Sequence, residues 1–449
     1  MKLGKGNSVY FVGIGGIGMS ALARYFHIQG AEIHGYDRTQ TSLTLQLEQE
    51  GMHIHYHESI NLIPDNLDLV VYTPAIPKSN IELQFLLESG IKILKRAEVL
   101  EQLTNDLFTI AIAGTHGKTT ITSMTSYLLK QGNLPFSAFI GGISNNFGSN
   151  LVCTPNNEIM VVEADEFDKS FLRLQPSISL ISSMDADHLD IYHDHNQLIS
   201  TYNAFASNTK PSGYILLRHG LTLINGKQFE TYGINPDATV RASNIRVENG
   251  FFVFDLQLRK GFVKNISMLL PGRHNIENAL AAASIAELMA VGIDQIARGI
   301  STFAGVQRRF DFKVRNSNIV YIDDYAHHPE ELRACISGVK ELFPNKRITG
   351  IFQPHLYSRT RDFMDGFAES LSMLDQLILL EIYPAREEPI EGINSTALLQ
   401  RISLNNKQLC SKENLLSTID SLKPEVLLTL GAGDIDQFVK PIQTMLASW

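Results

Sequence analysis

Apolar residues fall in short runs along this chain, and the runs alternate with segments of helical spacing. Residues 9–13 form the first run. Residues 19–29 then repeat apolar positions at three- and four-residue intervals before Gly30. Further runs at 32–36, 67–72 and 91–94, with a helical segment at 80–89, continue the pattern. Short apolar runs bounded by turn residues predict buried strands, and their alternation with helices predicts a parallel sheet covered on both faces. A helix then ends near the polar residues 104–106, and a second series opens with strands at 108–113, 158–165 and 178–182 and a helix starting at Lys118. Residues 213–270 alternate short strands with turns at Gly226, Gly233, Asn249-Gly250 and Gly261, and an alanine-rich buried helix follows at 278–290. The last third returns to alternation, with strands at 320–323, 348–353, 376–381 and 427–430 and helices at 329–340 and 362–371. The expected fold is α/β in three domains: Rossmann-like at 1–105, a central P-loop ATPase-like domain at 106–304, and a second Rossmann-like domain at 305–449.

The run at 108–113 breaks into Gly114-Thr115-His116-Gly117-Lys118-Thr119-Thr120, where a helix begins. A strand, a glycine loop and a helix N-terminus present a row of backbone N–H groups to a phosphate chain. Lys118 adds a mobile positive charge for the outer phosphates, and the Thr119 hydroxyl suits a magnesium ion. Ile112 stands where the longer phosphate-loop pattern has its first glycine, so only the shorter form is present. An earlier glycine loop, Gly13-Ile14-Gly15-Gly16-Ile17-Gly18-Met19-Ser20, follows the first strand, and Asp37 ends the next one. Alone, this layout reads equally as an NAD or FAD site.

Bulk properties narrow the partners. The chain has 449 residues and a net charge of −9, which argues against a nucleic-acid binder but not against a single bound nucleotide. Cys153, Cys335 and Cys410 are odd in number and widely spaced, which points to a reducing compartment without a disulfide framework. No stretch has the apolar length of a membrane helix, and the glycine-rich run near the N-terminus does not suit a signal peptide. A cytoplasmic enzyme is expected.

Acidic and basic clusters follow the strands. Glu163-Ala164-Asp165-Glu166 lies where a metal-binding acid belongs after a phosphate loop, though acids also favour helix starts. His188 sits among Asp185, Asp187 and Asp190, a setting for a second metal or for proton transfer. Arg308-Arg309 and Asp323-Asp324-Tyr325-Ala326-His327-His328-Pro329 bracket the start of the last domain, and His355, Arg359 and Arg361 follow the strand at 348–353. A guanidinium there could clamp phosphate or carboxylate oxygens; paired arginines are also often simply solvated. Neither a Ser-His-Asp arrangement nor a Cys/His metal spacing is present.

These segments, in this order, resemble the Mur ligase family. The resemblance rests on residues 13–20, 114–120 and 163–166, Asp187-His188, residues 271–275 with Asn278, residues 308–311 and 323–329, and residues 352–355 with 359–362. It implies ATP-dependent ligation of L-alanine to the lactyl carboxylate of UDP-N-acetylmuramate through an acyl phosphate, with a tripeptide as the alternative acceptor. It assigns the loop at Gly15, Gly16, Ile17, Gly18, Met19 and Ser20 to the diphosphate of the UDP-sugar, with Asp37, His57 and Thr73 on the uridine side. It assigns Lys118 and the loop from Gly114 to Thr120 to the ATP phosphates, and Asn275 and Asn278 to the adenine and phosphate side. Arg309 and Asp324 would complete the ATP site once the domains close. Thr119 and Glu163 would hold one magnesium ion, and Glu163 with His188 a second; manganese could replace either. Tyr325, His327, His355 and Arg359 would line the alanine pocket, with Arg359 pairing its carboxylate. Leu356 departs from the arginine common in relatives, and residues 140–148 are also similar to the tripeptide-joining branch. Neither a monomer nor a homodimer is singled out.

Overall fold

The computed structural model describes residues 3–449 except 106, 156, 186–191, 193, 225 and 386, with the backbone alone at 167 and 168. It divides into two compact units. The first is Met1–Ala242, Leu256–Val263 and Asn278–Ile300; the second is Ser243–Asp255, Lys264–Glu277 and Ser301–Trp449.

The first unit holds two sheets. β1 (Ser8–Val12), β2 (Glu32–Tyr36), β3 (His53–His55), β4 (Leu69–Tyr72) and β5 (Ile93–Lys95) form a parallel sheet in the order β3-β2-β1-β4-β5. Val9, Tyr10, Phe11 and Val12 are all fully buried, which is why β1 reads as a continuous apolar run rather than an alternating one. The next sheet contains β6 (Phe108–Ala113), β7 (Phe136–Ser144), β8 (Ser149–Cys153), β9 (Ile159–Glu163), β10 (Ile178–Ile181), β11 (Tyr214–Arg218) and β12 (Glu230–Gly233), in the order β12-β11-β10-β6-β9-β7-β8. All of these neighbours run parallel except the β7–β8 hairpin. One apolar core runs through both sheets, from Val9 and Phe26 to Val162 and Leu217.

Strands β13 (Val240–Glu248), β14 (Phe251–Gln257) and β15 (Phe262–Met268) occupy the stretch expected to be β-rich. The second unit is built on β16 (Asp311–Arg315), β17 (Val320–Asp324), β18 (Ile348–Phe352), β19 (Gln376–Leu379), β20 (Lys407–Leu409) and β21 (Val426–Leu430), in the order β16-β17-β21-β18-β19-β20. Only β16 is antiparallel. The fold is α/β with parallel-rich sheets in three domains, as expected.

Two helices differ from expectation. The alanine-rich helix starts earlier, at Arg273, and ends at Leu288. The helix expected over 362–371 is two, Tyr357–Asp362 and Met364–Leu371, because Phe363 leaves helical geometry (φ −116°, ψ 19°). Among the described residues no helix is long and apolar enough to cross a membrane.

Candidate active site

The first glycine loop joins β1 to the helix Ile17–Ile28. Gly13 turns at φ 89°, and the Gly15 N–H donates to Asp37 Oδ2 at 2.8 Å. A Cβ on Gly15 would stand 2.8 Å from that oxygen, and one on Gly13 would stand 3.2 Å from the Thr73 methyl carbon. Asp37 and Thr73 therefore flank the loop. The exposed His57 lies just beyond β3, its ring 6.0 Å from His55. Gly16 caps the helix without any side-chain hydrogen bond, which leaves the first-turn N–H groups open to an anion. Met19 and Ser20 lie in the first turn of that helix. Both side chains are buried, and the Ser20 hydroxyl donates to Ile17 O and accepts from Asn150 Nδ2 at 2.9 Å. Ser20 supports the loop from behind.

The second loop joins β6 to the helix Lys118–Gln131. Gly114 and Gly117 have φ of 130° and 86°. A Cβ on Gly114 would come within 2.2 Å of Ser182 Oγ, and one on Gly117 within 2.7 Å of Asn278 Oδ1. The first contact explains why glycine is required there, and the second puts Asn278 against the phosphate loop. The Thr115 hydroxyl donates to Asp185 O (2.9 Å), the His116 N–H donates to Ser183 Oγ (2.8 Å), and the His116 ring lies 3.7 Å from Asp185. Thr120 is buried in the first helical turn. The helix start again has no side-chain cap.

Acids converge on this loop. Glu163 ends β9; its Oε2 accepts from the Thr119 hydroxyl at 3.1 Å and its Oε1 from the Gly141 N–H at 2.5 Å. Lys118 Nζ donates to both oxygens of Glu166, at 2.8 and 2.7 Å, and to Gly114 O at 2.7 Å. Burial works against the Lys118 charge, but Glu166, Asp165 and Glu163 outweigh it and hold its pKa above the ordinary value. Glu166 starts the short 3-10 segment Phe167–Arg173 without capping it through its side chain, so the helix-start explanation does not account for this acid. The Thr119 hydroxyl and Glu163 carboxylate form a pair of hard oxygen donors, the chemistry that magnesium selects. His188 lies outside the described residues.

The remaining candidates lie in the second unit. Arg309 stands between Arg308 (φ 62°) and Phe310 (φ 48°), two side-chain-bearing residues in left-handed geometry. Internal bonds hold this turn. Asp324 accepts from the Phe310 and Ala326 N–H groups, both at 2.7 Å, and the Tyr325 N–H donates to Arg308 O. The Arg308 guanidinium lies 3.5 Å from buried Asp323 and donates to Gly431 O. Both arginines pack over the Tyr325 ring, at 5.0 and 4.9 Å. Burial pushes the Asp324 carboxyl up to about 6, against the lowering effects of Arg309 and the two backbone donors. Asp324 thus turns inward and organises the turn that presents Arg309. Asn275 is buried and donates to Pro271 O at 2.7 Å. Tyr325, His327 and His355 do come together: the rings of Tyr325 and His327 are 5.1 Å apart, and those of His327 and His355 are 6.4 Å apart. His355 stacks on Tyr383 at 5.8 Å. Half-buried Arg359 is in the next helical turn, after Leu356 at φ 70°.

Family models match residues 8–107 (Mur ligase family, catalytic domain), 112–286 (Mur ligase middle domain) and 308–433 (Mur ligase, glutamate ligase domain). The chain is 46% identical to the UDP-N-acetylmuramate–L-alanine ligase of Flavobacterium johnsoniae over 450 residues, 99% of each chain. The chain belongs to the Mur ligase family. Among solved structures, this Mur ligase is similar to the UDP-N-acetylmuramate-alanine ligase of Thermotoga maritima, with a TM-score of 0.84 at 26% identity over 98% and 99% of the two chains. It shares its fold with a murein peptide ligase of Psychrobacter arcticus, with a TM-score of 0.69 at 22% identity over 99% of both chains. Mur ligases depend on ATP and use Mg2+.

Several site residues of this Mur ligase escaped sequence reasoning. The Arg96 guanidinium covers Gly18, whose Cβ would lie 2.7 Å from its Nη1, and it pairs with Asp165 at 3.6 Å. Its only local signal is a single cation after a short strand. Ser182 and Ser183 brace the phosphate loop, and Tyr383 backs His355. None of these three lies in a motif.

Proposed function

We propose that this Mur ligase joins L-alanine to the lactyl carboxylate of UDP-N-acetylmuramate, converting ATP to ADP and phosphate, as a step in making peptidoglycan precursors. The observation that carries this reading is the end-to-end likeness to ligases of that name, at 46% identity over 99% of each chain. The boundaries proposed for the three domains are 1–105, 106–304 and 305–449. We place the enzyme in the cytoplasm, consistent with the free thiols of Cys153, Cys335 and Cys410, as a monomer or homodimer.

A carboxylate oxygen of the sugar attacks the γ-phosphorus, the bond to the bridging oxygen breaks and ADP leaves. The alanine amine then attacks the acyl carbonyl, loses a proton, and phosphate departs from the tetrahedral intermediate. Two anions must meet in the first step, so positive charge and fixed dipoles matter most. Lys118 and the N–H groups of residues 114–120 receive the ATP phosphates. Thr119 and Glu163 are the residues that would hold Mg2+, and Glu163 with His188 would hold a second ion; Mn2+ is a substitute. Bound there, the ion offsets the repulsion between carboxylate and phosphate. The loop from Gly15 to Ser20, with Asp37, His57 and Thr73, receives the UDP moiety. Arg309 steadies the transferring charge with Asp324 behind it, Asn275 and Asn278 serve the adenine and phosphate side, and Tyr325, His327, His355 and Arg359 hold the amino acid.

Phosphate release with ATP, Mg2+ and UDP-N-acetylmuramate tests the proposal. Release on adding L-alanine supports it. Release only with L-Ala-γ-D-Glu-meso-diaminopimelate moves the enzyme to the tripeptide-joining reaction, which the shared fold with a murein peptide ligase also accommodates.

A further inference from the structure

Residues 140–148 resemble the tripeptide-joining branch, and the strand that follows them carries a side chain that none of the roles above uses. Asn150, in β8, is fully buried and has three polar contacts. Its Nδ2 donates to Ile17 O at 2.7 Å and to Ser20 Oγ at 2.9 Å, and its Oδ1 accepts from Arg24 Nη1 at 2.5 Å. Arg24 is itself buried and is held by Glu50 through Nε and Nη2, at 2.8 and 2.6 Å. All of these partners lie on or beside the helix whose N-terminus forms the first glycine loop. Ile17 is the first residue of that helix. A side-chain donor on its carbonyl sets the depth and rotation of the turn whose N–H groups face an anion.

The same hairpin reaches the other site. β8 pairs with β7, where the Gly141 N–H donates to Glu163 Oε1, and the Ser123 hydroxyl of the phosphate-loop helix donates to Ser144 Oγ. One rigid hairpin thus holds the start of the first loop's helix with one strand and the acid of the second loop with the other.

We infer that Asn150 is a positioning residue for the loop at 13–18, aligning its N–H groups for the diphosphate without touching it. The inference rests on assigning that loop to the UDP moiety. Asn150 belongs by chain to the sheet of the phosphate loop, so general damage from its loss would appear in ADP binding, whereas loss of alignment appears in UDP binding.

Calorimetric titration of the full-length protein with UDP and, separately, with Mg-ADP makes the distinction. For Asn150→Ala the expected result is about tenfold weaker UDP binding, with a matching rise in KM for the UDP-sugar and ADP affinity within twofold of wild type. Asn150→Asp keeps an acceptor for Arg24 but cannot donate to Ile17 O. It should show the same selective loss, and it carries the test if the alanine variant does not fold. Wild-type UDP affinity in Asn150→Asp overturns the inference, as does an equal loss of UDP and ADP affinity in both variants. A wild-type protein that does not bind UDP removes the loop assignment itself and this inference with it.

Discussion

Lys118 and Glu166 face each other as a closed ion pair, with Nζ 2.8 and 2.7 Å from the two carboxylate oxygens. The Glu166 side chain is 2% exposed and that of Lys118 16%, so neither charge has much water to fall back on. Removing one partner leaves the other buried and uncompensated, a cost of about 3–5 kcal/mol. Lys118→Met should therefore abolish turnover and also lower Tm. The double variant Lys118→Met/Glu166→Gln should recover Tm but not activity. Recovery of both would remove Lys118 from the reaction.

Glu163 and Thr119 supply the oxygens for the metal. Glu163→Ala should shift the midpoint of a magnesium titration of activity upward by about tenfold or more, and Thr119→Ala should shift it in the same direction. An unchanged midpoint in the Glu163 variant would place the metal elsewhere.

Gly117→Ala puts a methyl group into left-handed backbone geometry and 2.7 Å from Asn278 Oδ1. The expected loss is about 1 kcal/mol of stability or more, with ATP affinity falling further than Tm alone would suggest. Thermal melts with and without Mg-ATP measure both, and equal nucleotide-induced stabilisation in variant and wild type would contradict it.

Asp324 carries a pH signature. Its folded-state pKa is raised from 3.8 to about 6, so between those values the folded protein holds a proton that the unfolded chain has released. Stability from this group is greatest below about 4 and declines as pH rises towards 6. Asp324→Asn lacks that titration. The difference in Tm, wild type minus variant, should fall as pH rises through this window and level off above it. A flat difference throughout would show that the carboxyl is not perturbed.

Arg359→Ala should raise KM for L-alanine at least tenfold while leaving KM for ATP nearly unchanged, because a lost charge-assisted pair with a carboxylate is worth about 1.5–3 kcal/mol. Equal effects on both substrates, seen in steady-state kinetics, would move Arg359 out of the amino-acid pocket.

Both glycine loops were legible because their chemistry is local: Gly13, Gly114 and Gly117 adopt the backbone geometry that the motifs require. The strand at 108–113 was readable to the residue, since it is bounded by polar residues and a glycine. The β7–β8 hairpin was not. Residues 136–140 are buried without alternation, and Gly141-Gly142 reads as a turn although it continues the strand. Ser20, Asp324 and Arg96 show the same limit at the site. Nothing local shows that the Ser20 hydroxyl braces its own loop or that Asp324 ties the Arg308–Phe310 turn to its strand. Arg96 reaches Gly18 and Asp165 only through tertiary packing.

The turn that carries Arg309 holds Arg308 and Phe310 in left-handed geometry, where glycine would rest without strain. Glycine would relieve about a kilocalorie per mole of strain at each position, but at 308 it would leave buried Asp323 without its guanidinium, and at 310 it would remove a buried ring, and either loss is larger. The strain at this turn is therefore locked in by what Arg308 and Phe310 touch, and a search for heat-resistant descendants of this chain should gain nothing from glycine at either position.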